Sequence, residues 1–166
     1  MQLRPLTAAD RAPLEAVLRA TGSFFDEEVE VALELIDYGI KGSRDYRFLV
    51  AADGEPGAGD RVLGYACWGP TPMTDRTFDL YWIAVDPRRQ GGGVGRALMA
   101  EVEKRLAAEG ARLLLVETAS KESYAATRAF YERLGYVEVA RTPDFYKDGD
   151  DRVVYSRRLA PRPVTA

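Results

Sequence analysis

Apolar residues along this chain follow two periods, one of three to four residues and one of two, and the switches between them mark out the elements. A short start through Leu3, Arg4, Pro5 and Leu6 is followed by Thr7 and Asp10, residue types that cap helices. Leu14, Val17 and Leu18 then share one helical face, and Gly22 closes that helix. A second helix is predicted over residues 26–38, with Val29, Leu33 and Ile36 inward and Glu27, Glu28, Glu30, Glu34 and Asp37 on an acidic outer face. Residues 47–52 and 61–68 read as the arms of a hairpin around a glycine-rich loop at 53–60, and residues 77–85 read as a third strand rich in aromatic and branched residues. Val94, Leu98, Val102 and Leu106 recur every fourth residue, so a long helix follows, stopped by Gly110. The apolar run at 112–118 reads as a buried central strand ending near Glu117. A helix at 123–134 and two closing strands near 137–142 and 152–159 complete the pattern. The order reads as an α+β fold, with a mixed, mainly antiparallel sheet of six or seven strands and helices on both faces.

Composition narrows what such a fold can do. The chain has 166 residues, which suits a single domain over residues 1–159 followed by a loose tail at 160–166 with two prolines. A net charge of −3 argues against broad binding to a nucleic-acid backbone. No apolar run is long enough to span a bilayer, and the start Met1-Gln2-Leu3-Arg4-Pro5 lacks a secretory apolar stretch, so a cytoplasmic protein is expected. Cys67 is the one cysteine and histidine is absent. A Ser-His-Asp triad, a histidine base and the usual histidine metal sites are therefore excluded, and no metal is expected. Proton chemistry falls to carboxylates, tyrosine, lysine or water.

The strongest motif is Ile83-Ala84-Val85-Asp86-Pro87-Arg88-Arg89-Gln90-Gly91-Gly92-Gly93-Val94-Gly95-Arg96. A strand delivers the chain into glycines that leave backbone N–H groups uncovered, and the helix that starts there points its positive end at the same spot. This is an anion site suited to a pyrophosphate, with Arg88, Arg89 and Arg96 adding positive charge. A P-loop would carry Gly-Lys-Ser/Thr where this chain has Gly95-Arg96-Ala97. A Rossmann unit would place its glycines after the first strand, whereas here three strands come earlier. A purely structural glycine turn is the remaining alternative.

The segment Gln90-Gly91-Gly92-Gly93-Val94-Gly95, together with Phe130-Tyr131-Glu132-Arg133-Leu134-Gly135-Tyr136, resembles the signatures of the GCN5-related N-acetyltransferase (GNAT) family. The resemblance spans residues 46–159 and implies the acyl-CoA N-acyltransferase fold, in which a splay between the strands at 77–85 and 112–118 admits the pantetheine arm. It further implies acetyl-CoA as donor and a small-molecule amine as acceptor, and it is compatible with a homodimer. Backbone groups of Ile83, Ala84 and Val85 would pair with the pantetheine arm and acetyl carbonyl, and the loop from Gln90 to Arg96 would hold the pyrophosphate. Tyr131 would lie near the thioester sulfur as general acid. Glu117, with a pKa raised by a partly apolar strand, is the most attractive base for an amine that is an ammonium ion in water. The family often has Asn seven residues before the tyrosine, and this chain has Tyr124 there.

Plainer readings stand beside these. Tyr131 also reads as a core aromatic, Glu117 as a structural carboxylate and the acidic helix as a solvated face rather than a lure for a cationic acceptor. Trp68, Tyr81 and Trp82 suit sheet packing, and Cys67 suits a small buried hydrophobe. The stretch from Asp144-Phe145-Tyr146 through Asp151 is similar to ribosomal-protein alanine acetyltransferases, which leaves a protein N-terminus open as acceptor. A coenzyme A-binding sensor without turnover is the other class.

Overall fold

The computed structural model describes residues 1–54 and 61–160; most of the loop expected at 53–60 and of the tail expected at 160–166 lies outside the described residues. The chain packs as two compact units, one formed by Met1–Gly69 with Tyr81–Val102, the other by Pro70–Leu80 with the residues from Glu103 onward.

The first unit begins with β1 (Gln2–Arg4), a 3₁₀ turn at Ala8–Asp10, α1 (Arg11–Ala20) and α2 (Asp26–Ile40). It continues with β2 (Arg47–Asp53), β3 (Arg61–Pro70), the second part of β4 (Thr77–Val85) and the first part of α3 (Val94–Ala108). β1 and β2 are antiparallel, as are β2 and β3, with a bulge between Ala51 and Ala52. The expected stripes are the ones buried, Leu14, Val17 and Leu18 from α1 and Val29, Leu33 and Ile36 from α2, with Ala32 beside them. They form a core with Phe48, Val50, Val62, Tyr65, Cys67 and Ala84, each fully buried large side chain contributing about 1.5–3 kcal/mol. Gly64 lets β3 approach β4, because a Cβ there would run into the Ala84 carbonyl oxygen. Asp10, buried at the head of α1, accepts both arms of Arg4 (2.8 and 2.7 Å) and the Thr7 amide (2.8 Å), which ties β1 to the helix.

The second unit holds the first part of β4, the end of α3, β5 (Leu113–Ala119), a 3₁₀ turn at Glu122–Tyr124, α4 (Ala125–Arg133), β6 (Val137–Lys147) and β7 (Asp150–Arg158). β4 and β5 pair in parallel from Thr77↔Leu113 to Leu80↔Val116, and both strands continue past that last pair. β7 lies antiparallel to β5 and to β6. Among the described residues, the hydrogen-bonded order β1-β2-β3-β4-β5-β7-β6 gives a mixed, mostly antiparallel sheet of seven strands accompanied by four helices. Tyr131 of α4 packs against Tyr155 of β7 and against Tyr136, at centroid distances of 6.2 and 5.9 Å. Two of the cluster's three hydroxyls are satisfied at its edge: Tyr136 donates to Glu103 (2.9 Å) and Tyr155 donates to Glu132 (3.0 Å), while Arg157 donates to Glu103 (3.0 Å) and to the Leu134 carbonyl (2.7 Å).

Three expectations change. β5 is not buried on both faces: Leu114, Val116 and Thr118 are buried, Leu113 and Leu115 only half so, and Glu117 is exposed. β6 runs on to Lys147 with every residue exposed, through Pro143 and an Asp144 held at φ 54°. The Asp144 conformation is fixed by its carboxylate, which accepts the Gly149 amide (2.7 Å), and by its amide, which donates to Asp151 (3.1 Å). The third change is that α4 begins at Ala125, after the 3₁₀ turn. No helix among the described residues is long and apolar enough to cross a membrane.

Candidate active site

The loop after β4 is organised by a buried carboxylate. Asp86 accepts the Arg88 backbone amide (3.0 Å), Arg88 Nε and Nη2 (3.0 and 2.8 Å) and Arg61 Nη2 (3.0 Å). The Arg88 hydrogen bonds outweigh burial and hold the Asp86 carboxyl well below the usual carboxylate range. Pro87–Arg89 forms a 3₁₀ turn, and the chain then passes through Gly91 and Gly93 at φ 77° and 82°, the left-handed region that favours glycine. A Cβ on either glycine would meet no atom within 4 Å, so open space lies over both.

The Ala97 amide donates to the Gly93 carbonyl (2.9 Å), which makes Gly93 the N-cap of α3. The amides of Gly91, Gly93, Val94, Gly95 and Arg96 donate to no described residue. A cluster of free amides at the positive end of a 15-residue helix, with room above it, is an anion cradle. Gly92 keeps an ordinary φ, and its amide donates back to the Arg89 carbonyl (3.2 Å). The loop thus presents the amides of the expected segment, except Gly92 and Gln90, whose amide donates to the Pro87 carbonyl (3.4 Å).

Two of the expected cations are engaged elsewhere. Arg88 is spent on Asp86, and Arg89 lies 3.3 Å from Asp53. Arg96 is exposed on the first turn of α3 and forms no ion pair among the described residues, so it and the amides carry the positive potential. Upstream, the Asp86 amide donates to the Leu63 carbonyl (2.8 Å) and the Ala84 carbonyl faces Gly64 on β3. Backbone groups alternate along a strand, so those of Ile83 and Val85 point away from β3. The expected pairing with a pantetheine arm therefore narrows to these two residues. Gln90 reaches back to the Val85 carbonyl with a long contact of 3.5 Å.

The titratable candidates belong to the second unit. Tyr131 is buried, and its hydroxyl has no hydrogen-bond partner among the described residues. Burial, with a smaller contribution from the Tyr124 phenol, pushes its pKa up. Tyr124 itself caps α4, with Lys121 Nζ 4.8 Å from its ring centroid. Glu117 does not sit in the apolar surroundings expected of it: its side chain is 49% exposed, with Arg152 Nη1 3.8 Å away. Val116 pairs with Tyr155, which touches Tyr131, so Tyr131 serves that face of β5 and Glu117, one residue on, projects from the other. Sequence reasoning missed Arg152, because an arginine in an alternating strand looks like a solvent-facing residue. It also read Asp86 only as part of a motif, although an Asp before Pro with Arg two residues on is a capping signal. Cys67 is buried and its thiol pushed up by burial, which leaves it inert. Among the described residues no group of acidic or cysteine side chains could hold a metal ion.

A family model described as an acetyltransferase (GNAT) domain matches residues 44–138. The [ribosomal protein bS18]-alanine N-acetyltransferase of Escherichia coli K12 is 38% identical over 73 residues, covering 44% of this chain and 48% of that protein. The chain thus spans about half the length of the curated relatives it matches. A crystal structure assigned to the GNAT acetyltransferases, from Desulfovibrio desulfuricans, is 41% identical and covers 96% of this chain and 99% of its own, with a TM-score of 0.89. An aminoglycoside 6'-N-acetyltransferase complexed with coenzyme A shares the fold at a TM-score of 0.77 and 19% identity, covering 98% of this chain and 99% of its own.

Proposed function

This chain belongs to the GNAT acetyltransferase family, and we propose that it transfers an acetyl group from acetyl-CoA to a primary amine of a small molecule in the cytoplasm. The observation that carries the donor half is the set of unpartnered amides of Gly91, Gly93, Val94, Gly95 and Arg96, with open space over Gly91 and Gly93. Five N–H groups and a helix terminus suit a pyrophosphate, whose charge they meet without a metal. Ile83 and Val85 offer backbone groups to the pantetheine arm.

In the reaction the amine nitrogen attacks the thioester carbonyl carbon, the carbon–sulfur bond breaks and the sulfur leaves as a thiolate. The amine must first lose the proton that makes it an ammonium ion. Glu117 is open to solvent and accepts that proton, directly or through water. Tyr131 supplies the opposite service. Its raised pKa keeps the phenol protonated across the neutral range, the state from which a general acid must start. The same burial opposes a phenolate, so a hydrogen bond to the developing thiolate is the least it contributes. With the two groups on opposite faces of β5, the proton is removed on one side and returned on the other.

A protein N-terminus is the second reading, supported by the 38% identity to the bS18-alanine enzyme. The test has two readouts. Acetyl-CoA at a hundredfold excess over its Kd stabilises the folded state by about 2.7 kcal/mol, roughly 5–10 °C for a chain of this size. ATP and NADH at the same concentration should shift it far less. Thiol release is then followed with a panel of small amines and with peptides beginning in alanine. Equal thermal shifts from all three nucleotides would remove the donor, and turnover confined to the peptides would move the acceptor to a protein.

A further inference from the structure

The partly buried arginines of this protein are generally well used. Arg4, Arg128 and Arg157 each donate more than one hydrogen bond to side chains or carbonyls. Arg152 does not. Its side chain is only 34% exposed, yet it donates to no described residue, and its Nε is enclosed without a partner. Its nearest acid, Glu117, is 3.8 Å away, beyond hydrogen-bond reach. The guanidinium lies instead over the ring of Phe145, with Cζ 4.8 Å from the centroid, a contact that leaves its donors unoccupied. Its cross-strand neighbours on the same face are the small residues Ala119 and Thr142.

The other acids nearby are committed. Asp151 and Glu138 bind Arg141, and Asp150 is buried where it accepts the Lys121 amide (3.0 Å). A planar fork of donors, held over an aromatic ring and lacking a hydrogen-bond acceptor, suits a carboxylate. We propose that Arg152, stacked on Phe145, binds a carboxylate of the acceptor, so that the acceptor class is a free amino acid or an analogue with its carboxylate beside the amine. This deepens the acetyl-transfer reading and rests on it for the role of Glu117. The two residues are 3.8 Å apart, and an α-amino acid carries its amine and carboxylate on one carbon, so Glu117 meets the ammonium while Arg152 meets the carboxylate. A peptide N-terminus offers a neutral carbonyl at that place, which such a site discriminates against.

The experiment compares L-amino acids with their carboxamides, in turnover and in binding. With acetyl-CoA saturating, thiol release should favour each reactive acid over its amide by at least tenfold in kcat/KM. Arg152→Gln should collapse that ratio towards one, and Arg152→Lys, which keeps the charge and loses the fork, should retain part of it. The binding arm needs no turnover: in coenzyme A-saturated wild-type protein the acid should raise Tm, the amide should not, and Arg152→Gln should abolish the difference, with circular dichroism confirming that both variants fold. Amides used as well as acids, or a preference that survives Arg152→Gln, would overturn the carboxylate site and leave acetyl transfer standing. A Tm difference lost in Arg152→Gln with no amine acetylated would leave the carboxylate site and remove acetyl transfer. Absence of both the preference and the Tm difference would overturn the site outright.

Discussion

Gly93 and Gly42 form a matched pair from which the role of the glycine loop can be measured. Both have φ 82°, and a Cβ built on either meets no atom within 4 Å. Replacing either by alanine therefore costs only the strain of a left-handed backbone, about 1–2 kcal/mol. For a chain of this length that is roughly 2–8 °C in Tm, and the two variants should lose similar amounts. Their effects on ligand should differ. Gly42 follows α2 and is no part of the glycine loop, whereas the open space over Gly93 is where the pyrophosphate would lie, among amides that a strained backbone would re-aim. Gly93→Ala should weaken coenzyme A at least tenfold by isothermal calorimetry, about 1.4 kcal/mol, and Gly42→Ala should bind as the wild type does. A Gly93→Ala protein with unchanged affinity would mean that the pyrophosphate does not sit on these amides. Widely different Tm losses in the two variants would mean that one of these backbones is not held as described.

Tyr131→Phe removes one hydroxyl with no partner to orphan, so Tm and acetyl-CoA affinity should hold while kcat falls roughly 10²-fold; full activity would discard it as the acid. Glu117→Gln should lower the rate at neutral pH and let it recover as pH rises towards the amine's own pKa, and an unchanged pH–rate profile would discard it as the base. Asp86 has a folded pKa below its unfolded one, so its contribution to stability is complete above the ordinary carboxylate pKa of about 4 and is lost as pH falls further. Asp86→Asn should accordingly lower Tm at pH 7 and flatten the Tm–pH curve in the acid range; a curve parallel to that of the wild type would show that the ion pairs with Arg88 and Arg61 contribute nothing.

Period and spacing revealed much of this architecture because the helices bury clean stripes and β4 is bounded by loop residues on both sides. β4 was located residue for residue, and the buried faces of α1 and α2 follow the predicted positions. The misses have local causes. Pro143 and Asp144 read as strand breakers, but hydrogen bonds to Gly149 and Asp151, across the hairpin turn, hold Asp144 in a turn conformation inside β6. The apolar run of β5 suggested burial on both sides, and nothing in the run itself says that the tyrosine cluster covers one face only. Arg89 looked like a phosphate ligand because its partner Asp53 lies 36 residues away in sequence, whereas Arg88's partner, Asp86, is two residues away and reads only as part of the motif. Arg152 escaped notice for the same reason as Arg89's pairing: its neighbours Glu117 and Phe145 come from two other strands.

The division of aromatic residues between the two compact units has a spectroscopic consequence. Both tryptophans, Trp68 and Trp82, fall in the first unit, while Tyr131, Tyr136 and Tyr155 fall in the second. Indole emission excited at the red edge of the band therefore reports on the first unit alone, whereas tyrosine absorbance reports on both, since Tyr38, Tyr46, Tyr65 and Tyr81 lie in the first unit and the other five tyrosines in the second. β4 and α3 each run from one unit's residues into the other's, so neither unit is a continuous segment that could be cut free. Melting followed by indole emission and by tyrosine absorbance on one sample gives two probes of a single chain. Coincident curves mean that unfolding is all-or-none, and a gap between them measures how far one half can open while the other stays closed.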